Sequence, residues 1–287
     1  MDTVIAPHQE TDSLSVTLSP SSAGFDGETV DGIVVENAVH DSAAEWPPRA
    51  QATQATQRRD GPRWQVAERL AAAILHRWPA EVRAIGVHGS LAHFDDREGA
   101  NVDLVVVTYQ PSTGPAPDAR RIDGILVDLG VISAGEYLSH ARTLSTSWPL
   151  AADQYLTTVA LHDESGWHAE LRDTHLARLA EASGRDFATL ARSSWCAAAA
   201  LVERCSSLGR WYDTDGALLV LSEARRAVAI TEGLLTRTYF TSSADAVRKC
   251  GLAGADQVTV RAKLVAQAAE LTRRGRPVDS TVAELLD

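Results

Sequence analysis

Long apolar runs are missing from this sequence. No stretch of about 18 consecutive apolar residues occurs, so no membrane-spanning helix is expected. The opening residues MDTVIAPHQETD have neither the basic region nor the apolar core of a secretory signal, and a cytoplasmic location is the expectation. Lysine is nearly absent: Lys249 and Lys263 are the two in the chain, and the other basic residues are arginine. The formal charge is −11, and polyanions are normally met by clustered cations. Neither nucleic acid nor a membrane is therefore an expected partner, and a small cationic or hydroxylated substrate is the better electrostatic match. Cysteine is scarce as well. Cys196, Cys205 and Cys250 have no metal-ligand spacing, and the expectation is three buried thiols acting as small hydrophobes.

What is present is enough for one large core or two domains, with 287 residues of which 45% are hydrophobic. Three segments follow from composition and periodicity. Residues 1–60 form an acidic extension, with SLSVTLS and GIVVENAV as short strand candidates and AEWPPRAQATQATQ as a linker. Residues 61–185 read as an α/β domain. It starts with a helix over 64–78, where Trp64, Ala67, Leu70, Ile74 and Trp78 recur at helical spacing, and continues with strands at 82–87, 102–107 and 125–129. Residues 186–287 read as a helical bundle. Phe187, Leu190, Ala191, Trp195, Ala198, Leu201, Val202 and Cys205 make one apolar stripe, and 217–235 and 258–274 are two further helices. The expected class is α+β: a mixed sheet covered by helices, then a bundle, with a cleft between them.

The chemistry-bearing stretch is IGVHGSLAHFDDREGANVDLVVV, residues 85–107. Gly89-Ser90 follows a strand, and a glycine there lets backbone and hydroxyl donors approach a polyphosphate closely. Asp103 on a neighbouring strand and Asp128 at the end of ILVDL on a third point to the same place. Carboxylates on adjacent strands suit Mg²⁺, which bridges oxygen ligands and phosphates. The plainer readings are a tight turn at Gly89-Ser90, salt bridges from the two acids to Arg83 or Arg121, and a solvated loop at Asp95 and Asp96. Trp148-Pro149 and Trp211-Tyr212 are expected in the core or at a dimer interface.

Gly-Ser followed about a dozen residues later by a strand with two acidic positions, then by Asp128, resembles the nucleotidyltransferase signature. The run is most similar to the kanamycin 4'-nucleotidyltransferase group over residues 63–275, through RAIGVHGSL at 83–91, SWPLAADQY at 147–155, HDESGW at 162–167, LGRW at 208–211 and YFTSSADAV at 239–247. The resemblance implies a homodimer with active sites between subunits and transfer of AMP from Mg-ATP to a hydroxyl of an aminoglycoside-like acceptor. It implies catalytic roles for Asp103 and Asp128, which with Asn101 would take Mg²⁺, and nucleotide contacts from Gly89, Ser90, His93 and Arg210.

Several working positions depart from that pattern. Asn101 stands where the group has its first acid, and an amide brings a carbonyl oxygen but no charge. His93 stands in place of an arginine and, at an ordinary imidazole pKa of about 6.5, is mostly neutral at cytoplasmic pH. Ser206 stands at the position of the glutamate that resembles the general base, which leaves Glu203, one helical turn earlier, as the nearby carboxylate able to accept a proton. Three functions stay open on these residues: nucleotidyl transfer, the same fold reassigned to nucleotide-independent chemistry in natural-product biosynthesis, and a noncatalytic binding protein.

Overall fold

The structure is a computed structural model that describes Arg59, residues 61–94 and residues 99–282. Apart from Arg59, the acidic extension 1–60 with its two strand candidates and linker lies outside the described residues, as does the Asp95-Asp96 turn.

The first helix, α1 (Pro62–Arg77), starts where Pro62 occupies the first turn, with its φ already helical and no backbone N–H to satisfy. It buries Trp64, Val66, Ala67, Ala71 and Ile74, and two basic residues, His76 and Arg77, face the negative end of the helix dipole. Strand β1 (Val82–His88) runs into the single-turn helix α2 (Gly89–Ala92) and is followed by β2 (Val102–Thr108), β3 (Asp118–Ile122) and β4 (Ile125–Ser133). Helices α3 (Ala134–Arg142) and α4 (Trp148–Thr157) lead to β5 (Val159–His162) and α5 (Trp167–Glu181). Four more helices follow: α6 (Gly184–Arg210), α7 (Thr214–Thr236), α8 (Ser243–Lys249) and α9 (Gln257–Arg273). This is the α+β class that the sequence implies, a mixed sheet with covering helices followed by a helical region.

The sheet order is β3-β4-β2-β1-β5. β2 and β4 are parallel, whereas β1 is antiparallel to both β2 and β5, and β3 is antiparallel to β4. Strand β4 is longer than the apolar run 125–129, because Gly130–Ser133 continue the ladder against Val105–Thr108. Strand β3, DARRI, is a polar edge that apolar periodicity does not reveal. Its hairpin to β4 turns at Asp123-Gly124, with φ of 51° and 81°, the left-handed pair that a two-residue turn between twisted strands requires.

Alternation along the strands divides the core. One face carries Ile85, Val87, Val102, Leu104, Val106 and Val127 against Trp64, Ala67 and Ile74 of α1. The other carries Ala84, Val105 and Val107 against Tyr137, Tyr155, Trp167 and Leu171 of α3, α4 and α5. Helix α4 then joins the sheet to the bundle, since Trp148, Ala152 and Leu156 share a cluster with Phe187, Ala191, Leu234 and Leu271. That cluster crosses the expected boundary at residues 185 and 186. At the seam His175 is fully buried: its Nδ1 bonds the Ala141 carbonyl at 2.7 Å, and its Nε2 accepts from Trp148 Nε1 at 3.2 Å. These partners hold the ring neutral with its proton on Nδ1.

One expectation changes, and another is narrowed. Cys205 is buried and Cys250 half-buried, but Cys196 is exposed because it falls off the stripe that α6 buries through Ala191, Ser194, Ala198, Val202 and Cys205. Trp148 is core, at 2% exposure, whereas Trp211 and Tyr212 stand in the turn after α6 at 80% and 63%. Among the described residues no helix is long and apolar enough to cross a membrane.

Candidate active site

Register assembles the site. His88 on β1 pairs across to Asp103 on β2, and Asp103 pairs in parallel register with Asp128 on β4. Laterally paired residues share a face, so the three polar side chains form a row on the α3/α4/α5 side, continuing past the apolar residues Val105 and Val107. Asp128 is exposed and Asp103 half-buried.

Gly89 closes the row at the end of β1. Its φ is +67°, and a Cβ built on it would lie 2.4 Å from Asp103 Oδ2. Backbone conformation and space both call for glycine here. Next to it, Ser90 Oγ is buried with no hydrogen-bond partner. A buried hydroxyl without a partner is a costly arrangement that a ligand oxygen or water relieves. Asn101 Nδ2 donates to Asp103 Oδ1 at 2.5 Å, so the amide is turned toward the carboxylate.

The electrostatics follow from this crowding. Burial, and then the neighbouring Asp128 charge, push the Asp103 carboxyl above its ordinary range, against the opposing pull of His88 and Asn101. Burial also pulls His88 below the usual imidazole value, although Asp103, Asp153 and Asp128 all act in the other direction.

A second pair lies beside the row. His93 Nε2 donates to both oxygens of Asp153, at 2.9 and 3.0 Å, and Asp153 on α4 is 4% exposed. That hydrogen bond raises the His93 pKa, partly offset by burial and helped by the charges of Asp153 and Asp245. The expectation of a mostly neutral His93 is therefore shifted toward the cationic form, because the sequence alone does not show that a buried carboxylate faces it. The cluster extends into the bundle. Tyr239 is raised by burial and by Asp153, and Asp245 is paired with Lys249 at 2.9 Å. Sequence reasoning gave no role to Asp153 or His88. The available signal for Asp153 was one acid inside the apolar run WPLAADQYL.

Glu203 and Arg210 are elsewhere within the chain. They line a cavity of about 430 Å³ between α6, α7 and α9, with Ser206, Leu218, Leu221, Gln257 and Arg261, and no residue of β1, β2 or β4 lines it. Glu203 pairs with Arg261 at 3.0 Å, and Ser206 Oγ accepts from Arg261 at 3.0 Å and from Gln257. Arg83 pairs with Glu170 at 3.1 Å.

Asp103 and Asp128 are the residues of the row that could hold a divalent cation. Mg²⁺ commonly takes one or two carboxylates and fills its remaining positions with phosphate and water oxygens. Asp103 and Asp128 supply two such groups; Gly89 lies against Asp103, and the next residue, Ser90, has a buried hydroxyl without a partner. Among the described residues no cluster of three or more His, Cys, Asp or Glu has the arrangement of a metal site made wholly by protein.

No protein-family model and no curated protein sequence matches the chain. Among solved structures, it is similar to a nucleotidyltransferase-like protein from Exiguobacterium sibiricum 255-15, with 14% identity over 77% of this chain and 84% of that one and a TM-score of 0.37.

Proposed function

We propose that the chain transfers a nucleoside monophosphate, AMP from Mg-ATP, to a hydroxyl of a small cationic acceptor of the aminoglycoside or natural-product type. The observation that carries this reading is the grouping at the end of β1: Asp103 and Asp128 in register on adjacent strands, with a left-handed Gly89 against Asp103 and, next in sequence, a buried hydroxyl on Ser90 that has no partner. Asp103 and Asp128 are the groups that would hold Mg²⁺, which when bound neutralises phosphate charge and polarises the phosphoryl group. Ser90 and the backbone of Gly89 bind phosphate oxygens, and His93, held toward its cationic form by Asp153, adds positive charge where the resembled group has arginine. The chain's net charge of −11 favours an amino-bearing acceptor.

Glu203 is the proton acceptor in this reading. It lies in the bundle cavity of its own chain, so its use depends on the homodimer that the kanamycin-type resemblance implies. Pyrophosphate release with Mg-ATP and a panel of aminoglycosides tests the proposal. Release that requires both Mg²⁺ and an acceptor supports it, and no turnover with any nucleotide and acceptor sinks it.

The fold reassigned to nucleotide-independent chemistry is the second reading. It is favoured by Asn101, whose amide donates to Asp103 where the resembled group has a carboxylate, so the row has two acids in place of that pattern's three. A product bound in the cleft without any nucleotide affinity would select it.

A further inference from the structure

At the other end of α6 the chain gathers positive charge. A cavity of about 480 Å³ is lined by Gly184, Arg185, Arg274, Gly275 and Arg276, where the first turn of α6 meets the end of α9. Arg237, whose Nη2 comes 3.4 Å from where a Gly184 Cβ would stand, adds a fourth guanidinium beside it. In a protein of net charge −11, such a concentration of arginine needs a cause.

Helix-end compensation explains part of it. Arg274 donates from Nη1 to the Leu235 carbonyl near the end of α7, at 2.8 Å, and from Nε to Glu270 at 2.5 Å. A cation there is favoured by the helix dipole. Arg185 has the opposite placement. It is the second residue of α6, where the dipole is positive and a cation is disfavoured. Arg276 presents a different problem, since its Nε is buried and has no hydrogen-bond partner. Among the described residues neither Arg185 nor Arg276 has a carboxylate within ion-pair distance, and Arg185 feels Asp186 only at longer range. The nearby acids are already engaged: Asp186 accepts from Ser183 in the α6 capping box, and Glu270 is shared by Arg273 and Arg274.

We propose that this cavity is a second binding site, distinct from the strand row, for a phosphate or pyrophosphate group held by Arg185, Arg274 and Arg276. Guanidinium groups match the planar, multiply accepting faces of such oxyanions. An anion there supplies the missing partner of Arg276 Nε and offsets the unfavourable placement of Arg185. The site takes its anion without a divalent metal, which separates it from the nucleotide site proposed above.

The test is calorimetry of the full chain with inorganic pyrophosphate in EDTA. Wild type binds, Arg185→Gln and Arg276→Gln each weaken binding at least about tenfold, as expected for loss of a charged hydrogen-bond donor, and Asp103→Ala binds like wild type. Arg185 is exposed on the first turn of α6, so its variant folds even if Arg276→Gln does not. Hydrogen exchange gives an independent readout: pyrophosphate slows exchange at residues 184–186 and 275–276. Absence of binding in EDTA overturns the proposal. So does binding that both arginine variants retain, or protection confined to the β1–β2 end. Failure here is distinguishable from failure of the strand-row reading, because loss of Mg-ATP binding in Asp103→Ala is measured separately and protection at the β1–β2 end would assign the pyrophosphate to that row.

Discussion

The strand row and the bundle cavity differ in how their polar groups are satisfied. In the bundle, Ser206 has two donors and Glu203 has Arg261, so these two polar groups of the cavity are matched by their neighbours. At the row, Ser90 Oγ lacks a partner, Asp103 is held above its ordinary range by burial and Asp128, and Gly89 sits in a left-handed conformation against a carboxylate. Folding alone does not favour the second arrangement, because partnerless buried groups and close like charges both cost free energy. Of these two regions, the one with an unmet polar group is the end of β1, although both carry residues that the resemblance marks as functional.

Substitution on the two sides should separate binding from stability. Asp103→Ala should lower Mg-ATP-dependent pyrophosphate release by at least about 100-fold, the scale of losing a group that stabilises transition-state charge. It should leave the melting temperature unchanged or higher, since a crowded carboxylate is removed. Ser206→Ala should instead cost about 1 kcal/mol through its lost hydrogen bonds, with Mg-ATP affinity intact. Calorimetry and thermal melts of the two variants measure this, and a reversed pattern would dissolve the distinction.

The seam joining the two regions gives the next effect. His175→Leu leaves both Trp148 Nε1 and the Ala141 carbonyl without partners in the core, a loss of about 2–4 kcal/mol. Burial lowers the pKa of this histidine. Its contribution is therefore fully present above the unfolded value of about 6.5 and is lost as pH falls through the lower folded value. Denaturant titrations of wild type at pH 7.5 and pH 5 should show a loss in acid that His175→Leu lacks.

His93 should behave with the opposite sign. Its folded pKa is raised by the bond to Asp153, so its contribution is full below about pH 6.5 and declines as pH rises through the raised folded value. Removing it in His93→Gln costs about 1.5–3 kcal/mol, the range for a hydrogen bond to a charged group. That penalty should shrink at alkaline pH. A penalty independent of pH would mean that the His93–Asp153 pair is not a charged one.

How much of this was legible follows the same division. Helices α1, α6, α7 and α9 could be read because each has an apolar stripe long enough to establish a period. β3 has only Ala119 and Ile122 as apolar residues, and β5 spans four residues, so neither carries a period to detect. Asp103, Asp128, Gly89 and Ser90 were legible as a group because strand order and register bring together what a local motif already suggests. The upward shift of His93 is not legible locally, since its partner is 60 residues away on α4. Glu203 was chosen by its neighbourhood to Ser206 along α6, and helix spacing says nothing about which cavity that face lines.

The smallest effect belongs to Asn101, and it sharpens the comparison most. Asn101→Asp replaces an amide that donates to Asp103 at 2.5 Å with a carboxylate that repels it. Without metal, the change adds a third acid beside Asp103 and Asp128, raises the Asp103 carboxyl further and lowers stability modestly. With Mg²⁺ present, the same carboxylate is a hard anionic ligand, and affinity for Mg-ATP should rise several-fold, on the order of 1 kcal/mol for one added charge near a partly solvated ion. Turnover should rise less, because His93 and Ser206 stay as they are. The measurement is a melt of wild type and variant with and without Mg-ATP, alongside calorimetry. A variant that is destabilised without Mg²⁺ and stabilised above wild type with it would show that the row is built to share a cation. Destabilisation of the same size in both conditions would remove the row as a metal-nucleotide site, and would leave the reassigned chemistry as the reading of this fold.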